Sequence, residues 1–466
     1  MNKENKILKS INNFAQKMAS QIYFRALRDA FVTTVPFLVL AGLMILINNV
    51  IINPETGWLN NLISNTTLAT WQEIGNKIIN GTMNSYSLFI GILISYSLAT
   101  SRKASNPIFS SIVTVAVLFI VLPLTSFATP IGSEQIIEIS GFVPYSYLGT
   151  GGIFVSILCS ILSTEIFVKL SSTDKLKIRL TGGIPPAVAQ SFEALISIIL
   201  TLLIFSFASF LIHLTTSFEI HDLINKMIQA PLVNLTTSLP GFIILCGVTN
   251  LLFALGIHPS GIVNPILEPP LLVAMQQNTE AFANNLDIPN IIVLPFRDLY
   301  GHIGGTGSTI ALIIAIILFS RKKANRDFAK MAGPLGVFNI NEPVIYGFPV
   351  VFNPLIMIPF VIGPLISFSV AYFATWAGLV SKIVVFVPWS TPPLINAYMA
   401  SGGDIRNVIL QIVLIALMVV VYFPFLKAYE FSMGVESNNN SGPENISIQN
   451  LSDQDSDNFD EFKDFM

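Results

Sequence analysis

Residues 350–375 read VVFNPLIMIPFVIGPLISFSVAYFAT, a run of 26 residues with three prolines and no charged side chain. A helix needs about 20 apolar residues to cross a bilayer, so this stretch is long enough. Similar apolar tracts recur between residues 31 and 426, and the 466-residue chain is 52% hydrophobic and 11% charged. Soluble domains contain about 25% charged residues. The sequence therefore predicts an all-α polytopic membrane protein and excludes a soluble one.

Proline and glycine interrupt many of the apolar tracts. The chain contains 27 prolines and 29 glycines. At membrane depth, a backbone group that proline leaves unpaired needs neighbouring protein or a watery cavity as its partner. We therefore expect about ten transmembrane helices, together with two re-entrant hairpins and amphipathic interfacial helices.

Lysine and arginine gather in four places, which the positive-inside rule assigns to the cytoplasm: residues 3–28, 102–103, 169–179 and 321–330. Residues 53–86 and 126–145 carry glutamates and a single lysine, so we expect them outside. Residues 1–30 are predicted to form an amphipathic N-terminal helix on the cytoplasmic face. The acidic residues 431–466 are predicted to be a disordered cytoplasmic tail.

Ionisable side chains are costly inside a membrane, so those embedded in apolar sequence are the first candidates for a functional site. These candidates are His258, Glu268, Arg297, Asp298, His302 and Glu342, together with Asn341, which precedes Glu342. Glu342 is the strongest candidate because the proline after it breaks the helix and leaves the carboxylate free to face a cavity. Two simpler interpretations stay open: Glu342 caps a helix in a cytoplasmic loop, and His258 is a hydrogen-bonded core residue.

A carboxylate, an imidazole, amides and the indole of Trp389 together suit a sugar. Carboxylates and amides hydrogen-bond paired hydroxyls, and an indole covers the apolar face of a pyranose ring. A metal site is not expected, because no two of the four histidines have the spacing of a helical ligand pair and both cysteines, Cys159 and Cys246, are remote from them. No cofactor and no nucleic-acid partner is expected.

The glycine-rich stretch GHIGGTGST, residues 301–309, superficially resembles a phosphate-binding loop. It lacks the Gly-Lys-Ser/Thr ending of a Walker A motif, and the sequence shows no nucleotide-binding domain. We therefore do not expect an ATP-driven pump. Close helix packing or a hinge explains these glycines as well as ligand contact does.

Two segments resemble enzyme IIC, the membrane subunit of the bacterial phosphoenolpyruvate-dependent sugar phosphotransferase system. They are GIHPSGIVNPI (256–266) and INEPVIYGFPVVFNPLIMIPFVIGP (340–364). The loop GGIPPAVAQSFEAL (182–195) and the segment VPWSTPP (387–393) extend the resemblance over roughly residues 5–430. The most similar group is that for lactose, cellobiose and diacetylchitobiose.

This resemblance implies a permease that carries a disaccharide across the bacterial plasma membrane and presents a hydroxyl for phosphorylation by a separate enzyme IIB. It also implies a homodimer in the lipid bilayer. Residues 31–235 would form the scaffold and dimerisation half, and residues 236–430 the substrate-binding half with its re-entrant hairpins.

The resemblance also assigns roles to residues. Glu342 and His258 correspond to the family's glutamate and histidine beside the reacting hydroxyl, and Trp389 to its tryptophan-bearing segment. Further substrate contacts are expected from Asn341, Asn396, Gly182, Gly183 and His302. Enzyme IIB carries the phosphate on a cysteine; neither Cys159 nor Cys246 lies in a soluble domain, so we expect the donor to be another polypeptide that docks on the basic loops.

Two other classes of function stay open at the level of sequence. The first is a secondary transporter driven by protons or sodium, with His258 and Glu342 as the coupling pair. The second is a membrane-embedded transferase or a receptor. Whether the chain itself counts as an enzyme also stays open.

Overall fold

The structure is a computed structural model, and it describes residues 21–128, 135–180 and 184–439. Most of it is helical. The α-helices are α1 (Ile22–Leu46), α2 (Asn65–Gly81), α3 (Tyr86–Ser101), α4 (Pro107–Ile120), α5 (Tyr145–Leu148), α6 (Ile153–Ser171), α7 (Pro186–Thr216), α8 (Ile220–Ile224), α9 (Ala230–Thr237), α10 (Leu239–Ala254), α11 (Asn264–Ala283), α12 (Leu294–Tyr300), α13 (Thr309–Phe319), α14 (Lys323–Val337), α15 (Glu342–Gly347), α16 (Pro354–Trp376), α17 (Ile395–Ala400) and α18 (Ile405–Asn439). A short antiparallel hairpin joins β1 (Thr125–Ala128) to β2 (Ile137–Ser140).

Proline sets where many of these helices begin. A proline lies in the first turn of α4, α7, α10, α11, α12, α15 and α16. Proline suits this position because its missing N–H is not needed there and its fixed φ is already helical. The local sequence therefore determines where several non-helical segments end.

The described part of the chain contains six helical segments long and apolar enough to cross a membrane: Ile22–Ile51, Asn65–Ser101, Thr150–Ser171, Pro186–Thr216, Pro354–Trp376 and Ile405–Ser432. A seventh candidate, Ile220–Thr237 with Leu239–Ala254, is bent by 80°. The helices α4 and α13 are shorter and apolar. This architecture matches the predicted all-α membrane fold, while the number of spans and the re-entrant hairpins stay predictions.

Hydroxyl side chains join the helices of the first half. Ser95 on α3 and Thr164 on α6 lie 2.6 Å apart, oxygen to oxygen, and Thr114 on α4 lies 2.8 Å from Ser163 on α6. All four side chains are buried. Small polar residues let membrane helices approach closely and hydrogen-bond across the contact.

Aromatic packing dominates the centre of the second half. The rings of Phe242 on α10 and Phe368 on α16 meet edge to face, with their centroids 4.9 Å apart. Tyr422 on α18 donates a buried hydrogen bond of 2.6 Å to the backbone oxygen of Gly307. The long helices thereby hold the non-helical segment 301–308 inside the protein.

The predicted ends of the chain fall only partly within the described residues. Residues 1–20 lie outside them, and residues 22–30 belong to the first long helix, α1. The last helix continues to Asn439, and residues 440–466 of the predicted tail lie outside the described residues. The boundaries proposed at residues 30 and 431 therefore do not coincide with helix ends.

Gln411 on α18 holds three separate segments together. Its side-chain nitrogen donates to the Leu299 backbone oxygen (2.8 Å) and to Asn396 Oδ1 (3.0 Å). Its side-chain oxygen accepts from the Leu394 backbone nitrogen at 2.5 Å. Gln411 is completely buried, so no water replaces these bonds.

We predict that Gln411→Leu destabilises the protein by roughly 3 kcal/mol, because two buried polar groups and one partly buried N–H lose their partner at about 1–3 kcal/mol each. The measurement is thermal unfolding of the purified protein in detergent. Gln190→Leu is the matched control, since Gln190 is exposed and accepts a single 3.4 Å hydrogen bond from Asn106. Equal melting temperatures for the two variants would contradict the prediction.

Candidate functional site

A cavity of about 310 Å³ lies where several helices end in the second half of the chain. The helices α1, α10, α11 and α12 contribute to its wall, together with the loops around residues 258, 305, 340 and 389. Its polar and charged lining residues are Arg28, Thr249, His258, Asn264, Glu268, Arg297, Asp298, His302, Thr306, Asn339, Asn341 and Glu342. This is the part of the chain where the candidate residues of the sequence lie.

Glu342 and His258 face each other across this cavity. The Glu342 Oε1 and His258 Nε2 atoms are 3.8 Å apart, and the two side chains are 47% and 51% exposed. Glu342 is the first residue of the short helix α15, with Pro343 next. His258 follows the end of α10, and its ring lies 4.9 Å from that of Phe253, centroid to centroid. Both side chains are therefore about half exposed where they meet.

Asparagine side chains support the loops on which this pair sits. Asn341 donates a 2.8 Å hydrogen bond to the backbone oxygen of Thr306. Asn339 accepts a 2.7 Å bond from the Gly304 backbone nitrogen and donates to the backbone oxygen of Trp389. These bonds tie the glycine-rich loop, the Asn-Glu-Pro segment and the tryptophan segment into one wall.

The glycine at position 305 allows this wall to close. Its φ is +101°, which L side chains rarely adopt, and an added Cβ would lie 2.5 Å from the Asn341 Cγ atom. A side chain at residue 305 would therefore push Asn341 away from the cavity. Close packing explains this glycine.

A cluster of charged side chains forms another part of the lining. The Arg297 guanidinium lies 3.0 Å from Asp298 Oδ1 and 3.7 Å from Glu268 Oε1. The three side chains are only 11–20% exposed. A buried charge is tolerated when it is paired, and the single cation Arg297 lies within ion-pair distance of both carboxylates that face the cavity.

The structure brings most of the predicted site residues together. Trp389 lines the cavity and is 49% exposed. His302 lines it from a buried position, with its Nε2 atom 2.8 Å from Asn250 Oδ1. Asn396 is buried outside the lining, where its Oδ1 atom accepts from Gln411. Gly182 and Gly183 lie outside the described residues.

Sequence reasoning missed several residues of the wall. Arg28 comes from the first helix, more than 200 residues before His258, and nothing local connects the two. Asn339 was detectable in principle, because it has a positive φ of 60° in the motif Asn-Ile-Asn-Glu-Pro and asparagine tolerates that conformation. Asn250 does not line the cavity but lies 2.8 Å from the Nε2 atom of His302, which does; it was hidden in an apolar helix, although an amide there needs a buried partner.

A polar cavity enclosed by apolar helices is typical of membrane carriers for small polar solutes. A family model described as "Phosphotransferase system, EIIC" matches residues 28–364. The chain belongs to this family, whose members are sugar permease components of the phosphotransferase system that act with an EIIB component. A proton- or sodium-coupled secondary transporter is not favoured by these matches.

Individual relatives cover almost the whole chain. The lichenan permease IIC component of Bacillus subtilis is 31% identical over 92% of this chain and 94% of its own length. The cellobiose-specific EIIC component of Geobacillus stearothermophilus is 31% identical over 91% of this chain and 93% of its own length. The lactose-specific EIICB component of Staphylococcus epidermidis is 24% identical over 93% of this chain and 73% of its own length.

A solved structure supports the same assignment. The transporter ChbC, the IIC component of an N,N'-diacetylchitobiose-specific phosphotransferase system, superposes with a TM-score of 0.84. It is 33% identical, and the match covers 92% of this chain and 98% of ChbC. The fold and the family suggested by the sequence are confirmed.

We predict that Arg297→Met destabilises the protein by roughly 3 kcal/mol, because it leaves two buried carboxylates without a cation. Arg297→Lys should retain more stability because it keeps the charge. Adding Glu268→Gln to Arg297→Met should restore part of the loss, because it removes one of the uncompensated charges. Thermal unfolding of the purified variants measures these effects, and wild-type stability of Arg297→Met would refute the pairing.

Proposed function

We propose that this chain carries a β-linked disaccharide across the bacterial plasma membrane and presents one hydroxyl to a separate EIIB component for phosphorylation. The observation that carries this proposal is the half-exposed pair of Glu342 and His258, 3.8 Å apart in a polar cavity that also contains Trp389. The pair offers a hydrogen-bond acceptor and a second titratable group to the same hydroxyl.

The substrate class follows from the relatives and from the cavity. The relatives are named for cellobiose, lichenan, oligo-β-mannosides, lactose and N,N'-diacetylchitobiose. Ligand cavities usually measure roughly 300–1,000 Å³, and this one measures about 310 Å³. Trp389 supplies an exposed indole for the apolar face of a sugar ring.

The chemistry assigned to this site is phosphoryl transfer between a cysteine and a hydroxyl. The sugar oxygen attacks the phosphorus, the new O–P bond forms, and the S–P bond to the EIIB cysteine breaks. Glu342 accepts the hydroxyl proton, and His258 orients the pair or relays that proton. Most of the catalysis in such transfers is positioning and charge stabilisation.

The phosphoryl donor is proposed to be another polypeptide. Cys159 on α6 and Cys246 on α10 are both buried, so neither thiol is open to an incoming group. The basic loops are proposed as the cytoplasmic docking surface, with both termini on that side.

We further propose a homodimer whose contact lies in the scaffold half, residues 31–235. The span Pro186–Thr216 supports this. Only 17% of its most apolar stretch is buried within one chain, so much of its surface is available for a second copy. The substrate-binding half, residues 236–430, would then move the sugar against the fixed scaffold.

We predict that Glu342→Gln lowers sugar phosphorylation by roughly a hundredfold or more, because the amide cannot accept the hydroxyl proton. The measurement uses membrane vesicles supplied with phosphorylated EIIB. Glu55→Gln is the control, since Glu55 is exposed and remote from the cavity. Unchanged phosphorylation at equal protein level would remove Glu342 from the mechanism.

We predict that His258→Ala weakens sugar binding by more than about threefold, which corresponds to ~0.7 kcal/mol. Sugar-dependent thermal stabilisation of the purified protein measures the affinity across cellobiose, lactose and diacetylchitobiose. A smaller loss would favour His258 as a packing residue beside Phe253.

A separate measurement tests the class of transporter. Accumulation of unmodified sugar in cells without EIIB would favour a secondary transporter over the proposed function.

A further inference from the structure

A second cavity, of about 470 Å³, lies between the end of α1, the helix α2 and the end of α11. Carboxamide side chains dominate its lining. Those from the first two helices and the segment after them are Asn48, Asn49, Gln72, Asn76, Asn80 and Asn84. Gln276 and Asn284 come from the other side. None of these residues lines the first cavity.

The two cavities lie at opposite ends of the same two helices. On α1, Val35 lines the first cavity and Ile45 the second, which is a rise of ~15 Å. On α11, Glu268 and Gln276 lie ~12 Å apart by the same measure. Buried apolar residues fill the space between them on these helices: Leu38, Ala41, Leu271 and Leu272.

The helix α2 presents its carboxamides as a single stripe. Gln72, Asn76 and Asn80 follow each other at intervals of four residues, which places them on one helix face. Trp71 and Ile74 lie on other faces and are exposed. The polar stripe therefore faces the cavity while apolar side chains face outward.

A hydrogen-bonded clasp fixes this stripe to the first helix. Asn48 lies in the π-helical turn Ile47–Ile51, is almost completely buried, and donates to the Gln72 backbone oxygen at 3.2 Å and to Asn76 Oδ1 at 3.0 Å. Gln72 donates back to the Asn48 backbone oxygen at 2.8 Å. These three bonds join the two helices that form this side of the cavity.

The clasp leaves hydrogen-bonding groups available. Asn76 and Asn80 use their side-chain oxygens as acceptors, from Asn48 and Asn84 respectively. Among the described residues, neither amide nitrogen donates to a protein acceptor. In the described part of the chain the lining carries no cation and a single carboxylate, Glu280. Such a site suits a neutral ligand with many hydroxyl groups, because the Asn76 and Asn80 amide nitrogens keep donors for hydroxyl oxygens.

We propose that this second cavity is an outer carbohydrate site, which binds a disaccharide through carboxamide–hydroxyl hydrogen bonds before the sugar reaches the first cavity. This inference rests on the proposed function. The outward position follows from the charge distribution, because residues 53–86 carry one lysine whereas the basic clusters lie in other loops.

A single extended segment connects the two cavities. Thr279, which lines the second cavity, donates a 2.9 Å hydrogen bond to the Val384 backbone oxygen. Five residues further on, Trp389 lines the first cavity. The backbone of Phe386 between them packs against Gly42 on α1, where an added Cβ would lie 2.2 Å from its oxygen. The segment therefore passes through the apolar barrier beside both helices.

The first test separates the binding of external sugar from its phosphorylation. Asn76→Leu and Asn80→Leu should each raise the KM for external cellobiose by about tenfold, because each removes hydrogen bonds to the sugar. Phosphorylation of cellobiose added to the cytoplasmic side of inside-out vesicles should keep its KM. Asn65→Leu is the matched control, since Asn65 is exposed on the same helix and lies outside the cavity. An unchanged external KM, or an equal rise from both sides, would overturn the proposal.

The second test probes occupancy without transport. Asn80→Cys supplies a thiol for a membrane-impermeant maleimide, while Cys159 and Cys246 are buried. Cellobiose, lactose, mannobiose and diacetylchitobiose are each added outside, and at least one should slow labelling by about threefold at twice its dissociation constant for this variant. Asn65→Cys should not be protected. The protection should persist when Trp389→Ala is added, because the first cavity is a different site.

The outcomes distinguish this inference from the proposed function. Transport and phosphorylation of cellobiose without any protection of residue 80 would overturn the outer site and leave the proposed function intact. Protection that disappears with Trp389→Ala would also overturn it, because the signal would then come from the first cavity. Protection by a sugar that is neither transported nor phosphorylated would support the outer site and contradict the proposed substrate.

Discussion

The architecture depends on one constraint: a backbone N–H or C=O group at membrane depth needs a protein partner when its helix is interrupted. The chain interrupts its helices at segments such as 301–308 and 377–394, and asparagine side chains supply partners for backbone groups in both. Asn339 bonds to both the glycine-rich loop and the Trp389 backbone, and Asn341 bonds to Thr306. Because these interruptions meet at one point, the bonds that stabilise them also build the wall of a cavity. The same residues therefore stabilise the interrupted backbone and line the cavity.

The two cavities differ in the chemistry of their polar groups. The first contains ionisable side chains, with Glu342 beside His258 and Arg297 beside two carboxylates. Ionisable groups can move protons and stabilise charge, which phosphoryl transfer requires. The second is lined mainly by neutral carboxamides, which bind hydroxyls without promoting a reaction. This difference in composition fits the two proposals, in which a sugar binds first at one end of α11 and is phosphorylated at the other.

Sequence reasoning proposed the site from short motifs that combine polar residues with proline. Asn-Glu-Pro and His-Pro combine a polar group with a helix break, and the structure brings Glu342 and His258 to one cavity. It did not find Arg28, which reaches that cavity from a helix more than 200 residues earlier. The sequence shows the regular spacing of Gln72, Asn76 and Asn80. Only the structure shows that they line one cavity with Gln276 of α11. The boundary at residue 30 was expected between an interfacial helix and a span, yet α1 runs through it from Ile22 to Leu46.

The sequence alone determined that this is a membrane protein, because long uncharged tracts are stable only in lipid or in a protein interior. It also determined where several helices start, because proline acts within its own turn. Tertiary structure alone decided which of the scattered polar residues share a cavity and which, like Asn396, satisfy a neighbour such as Gln411. The physical reason is the distance along the sequence over which each effect acts. Helix breaks and hydrophobicity act over a few residues. A cavity is formed by side chains far apart in sequence, which only the packing of the helices brings together.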